Sequence, residues 1–139
     1  MSKVTSKPHQ PDNSPVLREF AEQFDRCWLC GTRAINTWPP RLAIHHLVRG
    51  VDREKAKHER CVLIRTCQRC HEARLDGMEI ALQLAIKKHN DPEHFDRVRV
   101  NRLRNRADNA VSEGDVMLSE IELVGRSDET GFPFPRWTW

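Results

Sequence analysis

Cys61-Val62-Leu63-Ile64-Arg65-Thr66-Cys67-Gln68-Arg69-Cys70-His71 is an apolar run that ends in a Cys-x-x-Cys pair and a histidine. Upstream, Cys27-Trp28-Leu29-Cys30 repeats the spacing and is followed by Gly31, a residue that lets a chain turn under a bound ion. Two pairs of thiolates so spaced suit the tetrahedral, sulfur-rich site that zinc prefers. The bland alternative, two unrelated pairs of buried thiols, leaves the matched spacing unexplained. On the metal reading, the long interval between Cys30 and Cys67 is a folded unit whose ends the ion ties together, a treble-clef-like arrangement. An all-sulfur site is closed and structural, so any chemistry must come from elsewhere. Cys61 is left over and reads as a core residue.

Working outward, Leu42, Ala43 and Ile44 form a short strand running into His45 and His46, and Cys61 to Ile64 form a second strand that feeds the second pair. Residues 47 to 60 between them are highly charged and read as a surface loop. After Cys70 a helix to about Leu75 is expected, with a break at Asp76-Gly77. Met78, Ala81, Leu82, Ala85 and Ile86 then have the spacing of a buried helical stripe, which His89-Asn90-Asp91-Pro92 ends. A further helix from Pro92 to about Ala107 would turn Phe95, Val98 and Leu103 inward. Before the first pair, Val16, Phe20 and Phe24 recur at four-residue steps after Pro15, the mark of a short helix. Trp38-Pro39-Pro40 interrupts regular structure.

The fold class is therefore small α+β. A domain over residues 16–108, with its core at 27–76, lies between a disordered or loosely docked tail, 1–15, and an acidic and aromatic extension, 109–139. That extension carries Glu113, Asp115, Glu120, Glu122, Asp128 and Glu129, then Phe132, Phe134, Trp137 and Trp139, which could pack back on the domain, cover a dimer partner or stay mobile.

With 139 residues, 38% apolar and 31% charged, the chain has room for one compact domain that gains from an internal staple. No stretch approaches the roughly 18 apolar residues of a membrane span, and the first residues lack the apolar centre of a signal peptide. A soluble, cytoplasmic protein is expected, and in that compartment cysteine pairs mean metal rather than disulfides. The net charge of +3 is unevenly spread. From Arg41 to Arg74 lysine and arginine outnumber Asp52, Glu54, Glu59 and Glu72, in the same stretch as the cysteines and histidines.

Cys27-x-x-Cys30, then Ile44-His45-His46-Leu47, then Cys67-x-x-Cys70-His71 resembles the zinc-stapled branch of the HNH endonucleases. The likeness covers roughly residues 27 to 76. It implies a ββα-metal core with a structural zinc on Cys27, Cys30, Cys67 and Cys70. It further implies His46 as general base, with His45 and His71 as catalytic ligands of Mg²⁺ or another divalent ion. DNA would be the substrate, cut to a 5′-phosphate and a 3′-hydroxyl. Small stand-alone members resemble phage or mobile-element proteins, and a homodimer or a phage protein partner stays open. One departure concerns the asparagine that the family usually carries before the second strand: Lys57-His58-Glu59-Arg60-Cys61-Val62 has none.

Arg49, Arg53, Lys55, Lys57, Arg69 and Arg74 surround these motifs and are candidates for phosphate contacts. Arg97, Arg99, Arg102, Arg104 and Arg106 either extend that footprint or pair with the acidic C-terminal stretch. Two rival readings remain: a non-catalytic zinc module that binds nucleic acid or protein, and a zinc-ribbon adaptor that recognises protein. The second explains the cysteines but not the histidines.

Overall fold

A computed structural model describes residues 14–33 and 42–134. The tail expected before residue 14, the Trp38-Pro39-Pro40 interruption, Arg41, Trp137 and Trp139 lie outside the described residues. Helix α1, Pro15–Gln23, begins with proline in its first turn and is capped by Ser14, whose side chain accepts from the Leu17 amide. It buries Leu17 and Phe20. Phe24, just past its end, and Trp28 of the first cysteine pair complete an aromatic cluster with centroids 4.9 to 5.6 Å apart.

Strand β1, Leu42–His46, pairs antiparallel with β2, Leu63–Cys67, in a two-stranded sheet whose register sets Leu42 opposite Cys67 and His46 opposite Leu63. The second strand starts two residues later than the sequence suggests and runs into Cys67 itself. Arg60–Val62 form a 3₁₀ turn instead, with Cys61 and Val62 buried. Between the strands the expected surface loop is partly structured. Leu47, Val48 and Ala56 are buried, and a 3₁₀ turn at Gly50–Asp52 leads into α2, Arg53–Ala56. The reason is that Leu47, Val48 and Ala56 belong to the central core; from outside, helix α5, Arg97–Leu103, adds the grip of Arg99 on Glu59 through two bonds of 2.6 and 2.9 Å. Just past its end, Asn105 donates to Asp52.

Helix α3, Gln68–Cys70, continues as a π-helical turn over His71–Leu75, closed by the Asp76 amide on the His71 carbonyl oxygen. Gly77, at φ +85°, makes the break before α4, Ile80–Asn90. The apolar stripe expected there is in fact burial nearly all round, for Leu82 through Lys87 are consecutively buried. The cause is helix α6, Glu113–Arg126, which packs on α4 and adds Val116 and Leu123 to the same core. Its capping box, Ser112 with Asp115, was present in the sequence within what reads only as an acidic extension. Asp96 restarts the chain as α5 by accepting from the Arg99 amide. Val100 rather than Val98 is therefore fully buried.

Lys87 is wholly buried, donating to the Leu63 carbonyl and to Asp91 at 3.0 and 2.9 Å, with Phe20 and Trp28 rings beside its ammonium. No helix among the described residues is long and apolar enough to cross a membrane.

Candidate metal centre and histidine cleft

The two cysteine pairs meet because hydrogen bonds tie the first to the strand that carries the second: the Trp28 amide donates to the Arg65 carbonyl of β2, and the Arg65 side-chain Nε donates to the Phe24 carbonyl. Within each pair an amide turns onto the first sulfur, Leu29 N–H to Cys27 Sγ and Cys70 N–H to Cys67 Sγ, both at 3.4 Å. Gly31 sits at φ +76° with the Phe132 ring where a Cβ would stand, 2.6 Å from the nearest ring carbon. Phe132 and Phe134 thus pack back against the first knuckle. The Phe134 amide donates to the Leu29 carbonyl, and its ring lies under the guanidinium of Arg74.

All four sulfurs are buried and lie within 4.8 Å of one another. Cys30 and Cys67 Sγ are 3.8 Å apart, which equals the edge of about 3.8 Å expected for a tetrahedron with Zn–S bonds near 2.3 Å. Packed this closely, the thiols do not all ionise alike. Hydrogen bonding with Cys27, the largest influence in each case, holds Cys30 down and pushes Cys67 and Cys70 up. A cation is what lets four such sulfurs carry charge together. The donor set fits a structural zinc. Cys61 stands apart, and burial pushes its thiol up to about 11, the behaviour of an inert core cysteine.

Beside this cluster, His45, His46 and His71 line one cleft of about 400 Å³ together with Arg49, Arg53 and Asp76. The end of β1 supplies the first two imidazoles and the π-helical turn supplies the third. His45 and His71 stand edge to face with centroids 5.2 Å apart. Burial lowers His45 to about 4, the Gln83 hydrogen bond opposing the shift and the nearby His71 adding to it, so the ring is neutral at neutral pH. His46 Nε2 is 3.2 Å from the Lys57 carbonyl oxygen. A carbonyl only accepts, so the proton sits on Nε2 and Nδ1 is the basic nitrogen of the neutral ring. Among the described residues the cysteines are the one group of three or more ligand side chains close enough to share an ion. His45 and His71 offer two ligands, which oxygen from water or phosphate would have to complete.

Of the six basic candidates, Arg49 and Arg53 line the cleft, and Arg49 is bonded to Asp76 at 3.1 Å. Lys55 is exposed on α2, and Lys57 pairs with Glu54. Arg69 is half-buried next to Cys70 in the chain. Arg74 is turned to the knuckle, where it donates to Cys70 Sγ and faces Phe134. The arginines of α5 and its flank serve local structure: Arg99 holds Glu59, Arg102 holds Asp108, and Arg97 caps the Asp108 and Val111 carbonyls. Glu59 and Asp108 lie outside the acidic stretch considered as their alternative, whereas Arg97 reaches Asn109 and Val111 at its start.

Gln83, which hydrogen-bonds His45, was not singled out in the sequence. The available signal was its position, four residues before Lys87 and polar, inside the apolar stretch Ile80 to Ile86. No protein-family model, curated protein or solved structure matches the chain, so the reading of this site rests on its own geometry and chemistry.

Proposed function

We propose that the protein is a metal-dependent endonuclease of the HNH type that hydrolyses DNA phosphodiester bonds. On this reading β1, β2 and the helical stretch from Gln68 to Leu75 are a ββα-metal unit stapled by a zinc on the four cysteines. One observation carries the proposal: three imidazoles from two separate chain segments share one cleft, beside the sulfur cluster and distinct from it.

His46, with its proton on Nε2 held by the Lys57 carbonyl, uses Nδ1 to take a proton from the attacking water. His45 and His71 would hold the divalent ion, and His45 is kept in the neutral, ligating form by its burial. When bound, such an ion supplies Lewis-acid stabilisation to the phosphate and to the leaving 3′-oxygen. Arg49 and Arg53, on the cleft wall, offset the charge of phosphates on either side of the scissile one. Lys55 and Lys57 on α2 and its end extend the positive rim.

Incubation of supercoiled plasmid with the zinc-loaded chain and Mg²⁺ or Mn²⁺ tests this directly. Nicked circles with 5′-phosphate and 3′-hydroxyl ends are expected. Intact plasmid with every divalent ion tried would leave the non-catalytic zinc module as the reading of this scaffold.

A further inference from the structure

His45 Nε2 lies 2.7 Å from Gln83 Oε1, and the two residues are only 5% and 8% exposed. The direction of the Gln83 amide follows from its other end. Gln83 Nε2 is 2.7 Å from the Met78 carbonyl oxygen, which can only accept, so the NH₂ group faces Met78 and the side-chain oxygen faces His45. A reversed amide would set two oxygens against each other at Met78. The hydrogen between His45 and Gln83 therefore belongs to His45 Nε2, and in the neutral imidazole the lone pair is on Nδ1.

The support is rigid. Gln83 is in the first turns of α4, with its own amide bonded to the Glu79 carbonyl, and Leu82, Leu84, Ala85 and Ile86 around it are buried. A leucine or methionine would fill the same space. What an amide adds in such a place is direction: one buried group that reads the Met78 carbonyl and imposes a single tautomer on His45.

We propose that Gln83 is the positioning residue of the cleft, fixing the Nε2–H tautomer of His45 and thereby committing His45 Nδ1 as a ligand nitrogen for the divalent cation. The cation half of this proposal rests on the nuclease reading; the tautomer half does not.

Two measurements on the full, zinc-loaded chain separate them. A two-bond ¹H–¹⁵N spectrum of ¹⁵N-histidine-labelled protein reads the tautomer, and loss of the free Mn²⁺ electron-spin signal reads cation binding without displacing zinc from sulfur. The native chain should show His45 protonated at Nε2. Gln83→Met should give mixed tautomers and Mn²⁺ binding weaker by about 10–100-fold. Gln83→Glu, its buried carboxyl protonated and donating to the Met78 carbonyl where the amide did, still accepts from Nε2–H, so most of the affinity should survive. Native His45 protonated at Nδ1, or Gln83→Met leaving tautomer and affinity unchanged at full zinc content, would overturn the proposal while native Mn²⁺ binding upheld the nuclease reading. No Mn²⁺ binding by a native chain that shows the expected tautomer would overturn the ligand role and the nuclease reading together. Should Gln83→Met lose its zinc, the native tautomer and Gln83→Glu decide.

Discussion

His46 and Lys57 are joined by a 3.2 Å hydrogen bond that runs from the imidazole to a backbone carbonyl, so the segment between the strands takes part in aiming the proposed base. That segment carries no asparagine, but its two ends are tied to the α5 region: Asp52 to Asn105 at 3.0 Å and Glu59 to Arg99 at 2.6 Å. These ties bracket Lys57.

Removing one tie should therefore separate activity from stability. The Arg99–Glu59 pair is partly exposed, so Arg99→Ala should lower stability only slightly. Plasmid nicking by the same variant should fall several-fold, in kcat rather than in KM, because the base loses alignment and not substrate contact. Urea denaturation and steady-state nicking measure the two effects, and an unchanged kcat would detach α5 from the base.

Zinc should be inseparable from the fold. Cys67 Sγ accepts from the Cys70 amide and sits at the end of β2, so Cys67→Ser removes a ligand and loosens the start of α3 at once. Because metal-binding energy is folding energy in such sites, the variant should be largely unfolded and hold much less than one zinc per chain. Metal analysis and circular dichroism check this. Cys61→Ser, at a buried position outside the cluster, should keep its zinc.

Acid should weaken the fold through His45. Its folded value of about 4 lies below the ordinary 6.5, so the unfolded chain binds the proton more readily. The contribution of His45 is complete above pH 6.5 and is lost as pH falls toward 4, with a slope of up to about 1.4 kcal/mol per pH unit. Denaturation at pH 7, 6 and 5 should show the native chain losing about 1 kcal/mol more per unit than His45→Gln between pH 6 and 5. Parallel curves would contradict this assignment.

Gly31 should tolerate nothing larger. Gly31→Ala meets both a positive φ and the Phe132 ring, and a loss of about 2–3 kcal/mol is expected. Adding Phe132→Ala should relieve the ring contact but not the backbone strain, so the two substitutions should be non-additive in a double-mutant cycle.

The site was more legible in the sequence than the frame that holds it. Matched Cys-x-x-Cys spacing brings out the sulfur cluster because ligand geometry is local, and the short apolar run Leu42-Ala43-Ile44 brings out β1 because a strand is local too. Helix α6 escaped because its buried face is only Val116, Ser119 and Leu123, whereas Met117, Leu118, Ile121 and Val124 are exposed. The apolar pattern therefore does not mark one inward side. Lys57 escaped as the partner of His46 because it acts through its carbonyl, which any residue carries. Arg74 read as a phosphate contact, yet its guanidinium is taken by Phe134 and a cysteine sulfur from a distant and a neighbouring turn. Charge alone does not say where a long side chain turns.

Nicking of supercoiled plasmid by the native chain and by His46→Ala, at equal zinc content and in the same divalent ion, decides whether the histidine cleft hydrolyses DNA. The native protein should cut, and the variant should be slower by about 10²–10⁴-fold while remaining folded. Equal cutting by the two proteins would contradict the proposed role of His46.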